Sequence, residues 1–213
     1  MLSANLGSNL SSGLISSIFS SRDSLSVIDN FTDTNNTSIT SHTGDKNAVW
    51  QAQTTTITQA VIVNNRLSGR ASSNVYRTSY VMPTPNYSVY AKFDFIADFA
   101  LVGCGIVGRA TADGQNTFYA LRYDKTSGNW LLFKSINGAT TNLGTYVETF
   151  NSGSREILLY MNGSNIQGII DGVARINVTD TGITGAGSAG VRTTVMTTDT
   201  AGIHIDKFEA KLI

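Results

Sequence analysis

At 213 residues, 41% of them apolar, the chain is long enough to bury one sizeable core. Lys plus Arg and Asp plus Glu each number 15, so the net charge is zero and no basic field exists to attract nucleic acid or an anionic membrane. Only 14% of residues are charged, so the polar surface must be built from Ser, Thr, Asn and Gly, residues that favour turns between strands. The single cysteine, Cys104, excludes an intrachain disulfide and a cysteine zinc cluster. Its apolar setting, from Leu101 to Val107, marks it as a small buried residue.

Residues 1–25 differ in character from the remainder of the chain. Leu2, Leu6, Leu10, Leu14 and Ile18 recur at every fourth position, with Ile15 and Phe19 beside the last two. This spacing gives a drifting helical stripe. The gaps hold Ser, Asn and Gly, which are poor helix formers. Such a segment gains its order from docking, either on its own domain or on a neighbouring subunit, and the second is the expectation here. No Lys or Arg precedes Arg22, so no secretory leader is expected. No stretch approaches the length that spans a bilayer.

From Ser26 onward the pattern has period two. In the run from Tyr87 to Phe95, Val89, Ala91, Phe93 and Phe95 alternate with Ser88, Tyr90, Lys92 and Asp94. A slip of one residue would bury Lys92 and Asp94, so the register is well specified. Further strands are expected over 101–109, 117–124, 129–135, 140–146, 156–161, 165–170 and 173–178. Turn signals separate several of them: residues 125–128, Asn137-Gly138, Asn162-Gly163-Ser164 and Asp171-Gly172. Val27 to Phe31 resembles the closing run Ile203 to Ala210, as expected of first and last strands paired in one sheet. The reading is an all-β, two-sheet antiparallel jelly-roll sandwich over 26–213, preceded by a docking arm over 1–25.

Signals for catalysis are weak. Glycoside hydrolysis needs two carboxylates flanking one bond, yet Glu148, Glu156 and Glu209 have no carboxylate two positions away. Asp94 and Asp98, four apart, make a poor pair. His42 and His204 are the two histidines, and no nucleophile elbow accompanies them. Asp33, Asn35, Asn36 and Asp45 form an oxygen-rich loop that can either hold calcium or make Asx turns; the turn is the preferred reading. The glycine-rich run from Gly103 to Gly108 lacks the following helix of a dinucleotide loop.

Strand parity supplies a binding candidate. Tyr90, Lys92 and Asp94 face away from the core, and by the same alternation Arg109, Arg122 and Trp130, with Lys134, are expected to point outward. Aromatic and charged groups on one face suit stacking on and orienting sugars. Internal ion pairing of a polar outer face is the simpler alternative.

Several segments carry a family likeness: Gly105-Ile106-Val107-Gly108-Arg109, Phe118-Tyr119-Ala120-Leu121-Arg122-Tyr123, Gly128-Asn129-Trp130-Leu131-Leu132 and Leu158-Leu159-Tyr160-Met161-Asn162-Gly163. Gly168-Ile169-Ile170-Asp171-Gly172, the run from Gly187 to Arg192, and Asp206-Lys207-Phe208 continue it. Together they resemble the concanavalin A-like (laminin-G-like) jelly rolls found in bacteriophage structural proteins. The resemblance implies a non-enzymatic virion component, such as a head decoration, fibre or receptor-binding protein. It would assemble in the host cytoplasm as a homo-oligomer, docked on other capsid or tail proteins by the arm, and it could adhere to a host surface glycan. A free carbohydrate-binding module is the alternative. Neither reading calls for nucleic acid, membrane insertion or a cofactor.

Overall fold

The computed structural model describes residues 25–53, 59–70, 74–97, 103–149, 151–193 and 197–213. The arm residues Leu2, Leu6, Leu10, Leu14, Ile15, Ile18 and Phe19 lie outside them, as does Asp98. Among the described residues every regular element is a strand. In chain order these are β1 (Ser26–Asp29), β2 (Trp50–Ala52), β3 (Val61–Ile62), β4 (Leu67–Ser68), β5 (Asn74–Val81), β6 (Tyr87–Ala97), β7 (Gly103–Ala110) and β8 (Phe118–Asp124). They continue as β9 (Asn129–Ile136), β10 (Ala139–Val147), β11 (Gly153–Asn162), β12 (Asn165–Ile170), β13 (Val173–Thr179), β14 (Ser188–Thr193), β15 (Thr197–Thr198) and β16 (Ala201–Leu212).

Two antiparallel sheets form a jelly-roll sandwich. One runs β13-β12-β11-β6-β16-β4-β3, with β1 and β15 also paired to β16; the other runs β10-β9-β8-β7-β14-β5-β2. The first and last strands do pair, with Val27 opposite Ala210 and Ile28 opposite Glu209. Between β9 and β10, Asn137 and Gly138 both adopt positive φ, 52° and 83°, as a two-residue hairpin turn requires. Asp171 and Gly172 do the same between β12 and β13, at 49° and 75°.

The core lies between the sheets. Val89, Ala91, Phe93 and Phe95 of β6 point into it, as their alternation dictates. Phe93 and Phe95 each lie 6.2 Å from the Trp130 ring, and Tyr123 packs 5.1 Å from both Phe95 and Trp130. At the other end Trp50 sits 5.9 Å from Phe31 and 5.1 Å from Phe208. Burial of each such aromatic ring contributes about 2–3 kcal/mol. Cys104 is buried, as expected.

Arg109 departs from the expected alternation. Val107 faces Gly190 and Ala110 faces Ser188, so β7 carries a bulge at this point. Arg109 takes φ 50° there, and only 1% of it is exposed. Its guanidinium donates to three backbone carbonyls: Pro85 at 3.0 Å, Ile183 at 2.6 Å and Gly163 at 2.8 Å. It therefore ties three loops to one end of the sandwich and is not part of an outer face. Arg109→Ala would leave these acceptors without their donor and open a cavity, so we expect a loss of about 3 kcal/mol or more in urea unfolding. Arg109→Lys should recover only part of this loss, because one ammonium cannot span three diverging carbonyls.

Candidate functional site

The residues expected to share one binding face are dispersed. Tyr90, Lys92 and Asp94 do lie on an outer face, that of the nine-stranded sheet, and are half-buried. Their charges are taken up locally: Lys92 donates to Asp206 at 2.7 Å, Arg66 pairs with Asp94 at 3.1 Å, and Ser154 donates to Asp94 at 2.7 Å. Burial, followed by the adjacent Glu156, pushes the Tyr90 phenol above its ordinary range. Arg109 is the buried clamp on three carbonyls. Trp130 is fully buried in the core, and its indole N–H donates to Glu148.

Trp130 points inward because the parity of β9 is the reverse of that expected. Trp130 and Leu132 face the core, whereas Leu131 and Phe133 belong to the other face. Both sets are apolar, so alternation alone does not choose between them. Arg122 is on the outer face of the seven-stranded sheet, as expected. Lys134 shares the parity of Trp130 but sits near the strand end, where it pairs with Asp180 at 2.6 Å.

What the fold does bring together lies on that seven-stranded outer face. Arg192 of β14, Gly105 of β7 and Arg122 of β8 occupy one cross-strand row. The next row runs Arg77, Gly190, Val107, Ala120, Phe133 and Asn142. Small residues therefore floor the space between the two arginines. Adding a Cβ at Gly105 would bring it within 2.6 Å of the Leu121 carbonyl oxygen, so that part of the floor cannot fill.

Across this floor the Arg192 guanidinium reaches Phe133, 5.1 Å from its ring centroid, and Arg122 lies 5.8 Å from the same ring. Phe133 is itself only 6% exposed and meets Phe118 edge-on at 6.3 Å. A hollow of about 220 Å³ opens here, lined by Arg122, Leu131, Phe133, Thr140, Asn142 and Arg192.

The electrostatics of the hollow are one-sided. Among the described residues, Asp124 carries the only carboxylate on the seven strands of this sheet, and it accepts from Arg122 at 2.9 Å. The Arg122 Nε is buried and has no hydrogen-bond partner. Burial, together with the adjacent Arg122, pulls the Arg192 guanidinium down to about 10, with Asp124 acting in the opposite direction. Neither Arg192 nor Phe133 stands out as a site residue in the sequence; the Gly190-Val191-Arg192 alternation is the signal that could have pointed to the first of them.

A second cluster involves the oxygen-rich loop. Buried His42 bridges Asp29, through Nε2 at 3.0 Å, and Asp33, through Nδ1 at 2.8 Å. Asp29 also accepts from the Trp50 indole and the Phe31 amide, both at 2.6 Å. Asp33 accepts from Thr34 as well, Asp45 accepts from Asn30, and Asn35 pairs with Asn64. The loop oxygens are thus engaged in holding the chain that crosses from β1 to β2. Among the described residues no three His, Cys, Asp or Glu side chains gather as a metal site.

Known structures share this architecture. The carbohydrate binding module CBM66 from Bacillus subtilis superposes with a TM-score of 0.57 at 13% identity, over 77% of this chain and 96% of that one. The Bacillus licheniformis beta-glucanase gives 0.57 at 8% identity, over 88% of this chain and 98% of that one. The GH43 BlXynB protein from Bacillus licheniformis gives 0.58 at 14% identity, over 87% of this chain but only 39% of that one. At these identities the likeness establishes the jelly-roll fold. No model of a known protein family matches the sequence, and no curated protein matches it by sequence comparison.

The His42 network makes folding depend on pH. Burial pulls the imidazolium down, but hydrogen bonds to Asp29 and Asp33 outweigh this and leave its pKa above the ordinary 6.5. A folded pKa raised in this way contributes stability that is complete below 6.5 and is lost as pH rises through the folded value. Denaturant midpoints should therefore fall on that alkaline limb, and His42→Gln should flatten it. An imidazole NMR titration with the His42 transition at or below 6.5 would contradict this account.

Proposed function

We propose that this protein is a non-catalytic glycan-binding domain whose contact surface is the outer face of the seven-stranded sheet. One observation carries the reading: Arg122, Arg192, Thr140 and Asn142 surround a hollow on an otherwise small-residue floor. Exposed Thr140 and Asn142 supply a hydroxyl and an amide at the rim, groups that can exchange hydrogen bonds with sugar hydroxyls. The carbohydrate binding module among the structural neighbours supports the same class of ligand. Hydrolysis is the weaker reading, because a carboxylate pair is required and this sheet offers Asp124 alone, already bound to Arg122.

We further propose that the domain is carried on a bacteriophage particle, with residues 1–25 as its anchor. This rests on the sequence: the fourfold apolar recurrence from Leu2 to Ile18 and the family resemblance of the remainder. A free carbohydrate-binding module is the competing form. Deleting residues 1–25 should abolish attachment to particles while glycan binding persists; unchanged attachment would refute the anchor.

For the glycan reading, a broad panel should reveal at least one ligand, and Arg122→Ala should weaken it about tenfold. Its effect on stability should stay near 1 kcal/mol, since the guanidinium makes one partly solvated ion pair and one ring contact. If no glycan binds, or if Arg122→Ala leaves binding intact, the assignment of this face is wrong.

A further inference from the structure

The hollow on the seven-stranded sheet differs from a surface built for neutral sugars. Stacking on a neutral sugar needs an accessible aromatic face. Here the two aromatic rings of this outer face, Phe118 and Phe133, are 3% and 6% exposed, and both arginines lie against Phe133. What remains open to a ligand is guanidinium and polar rim.

Two positive groups converge on one buried ring, and the strands of the sheet supply one carboxylate to balance them. The intervening row position is Gly105, where a side chain cannot be accommodated without displacing backbone. The arginines are thus held across an empty floor, with no residue of that row positioned to separate them. Guanidinium forks bind carboxylate and sulfate oxygens through paired N–H donors. On the nine-stranded face the comparable cations lie apart from one another, Lys92 beside Asp206 and Arg66 beside Asp94. A larger groove of about 490 Å³ beside β1 is lined by Lys46, Lys211 and Glu209, and there Lys211 and Glu209 approach to 3.5 Å.

We infer that the hollow takes an anionic sugar unit, one bearing a carboxylate or a sulfate, gripped between Arg122 and Arg192 with Thr140 and Asn142 contacting its hydroxyls. The inference rests on the glycan-binding reading of this face and names the class of glycan. An acidic sugar places a negative group between the two guanidiniums; a neutral sugar does not.

The test is calorimetric titration of the full chain with trigalacturonate, sulfated galactotriose and unmodified galactotriose. One or both charged trisaccharides should bind at least tenfold more tightly than the neutral one, and the tighter of the two identifies the anion. Raising salt should weaken that binding, since the contact is ionic. Arg122→Gln should remove at least tenfold of the charged-sugar affinity. Arg192→Gln, checked for an unchanged melting curve, should act in the same direction. Equal affinity for charged and neutral trisaccharides would overturn the inference and leave the broader glycan reading standing. Failure of both charged sugars to bind at millimolar concentration would also overturn it. Failure of every glycan on the panel would remove both readings.

Discussion

The pairing of β6 with β16 is the constraint on which the rest of the sandwich depends. These are the longest strands of the nine-stranded sheet, at 11 and 12 residues, and β16 also receives β1, β4 and β15. Their ladder sets Ala210 against Val89 and Phe208 against Ala91, and Ile205 against Phe93 beyond a register shift. All six side chains therefore enter the core together. Because side chains alternate between faces, that single choice sends Tyr90, Lys92 and Asp94 outward and fixes which face of the opposing sheet must be apolar. Phe93 and Phe95 then demand a large planar partner, and Trp130 fills that place.

The outer faces left by this arrangement have different characters. On the nine-stranded sheet, Lys92 meets Asp206 and Arg66 meets Asp94. On the seven-stranded sheet, Arg122 and Arg192 cover an apolar patch formed by Phe133, Phe118, Val107 and Ala120. Guanidiniums suit this task because they are weakly hydrated and lie flat on rings. The same covering concentrates positive charge where side chains are otherwise small. The proposed binding surface follows from how the protein closes off apolar residues on the wrong side of a strand.

Much of the fold was legible because β6 has polar and apolar residues in strict alternation, and because Asn137-Gly138 and Asp171-Gly172 admit few conformations other than tight turns. The pairing of the two terminal strands was legible from their similar composition. The site was less so. In β9 the run Trp130-Leu131-Leu132-Phe133 is apolar on both parities, so the buried set is decided by what faces it, Phe93 and Phe95, and not by the run itself. Arg109 lies within β7 but departs from its alternation, because the bulge opposite Ser188 and Gly190 redirects it. Asp29, His42 and Trp50 are separated by up to 21 residues in the chain, and only the folded loop makes them one network. Arg192 and Arg122 are likewise far apart in sequence and meet because β7 carries Gly105 between them.

In the proposed function the two arginines over Phe133 form the ligand-contacting surface. Arginine Nε–Hε resonances, followed by NMR during titration with trigalacturonate or sulfated galactotriose, address it most directly. The Arg122 and Arg192 signals should shift together and saturably, while those of Arg109 and Arg155, which are held by carbonyls or carboxylates elsewhere, stay in place. Saturable shifts confined to residues of the nine-stranded face, with Arg122 and Arg192 unmoved, would contradict it.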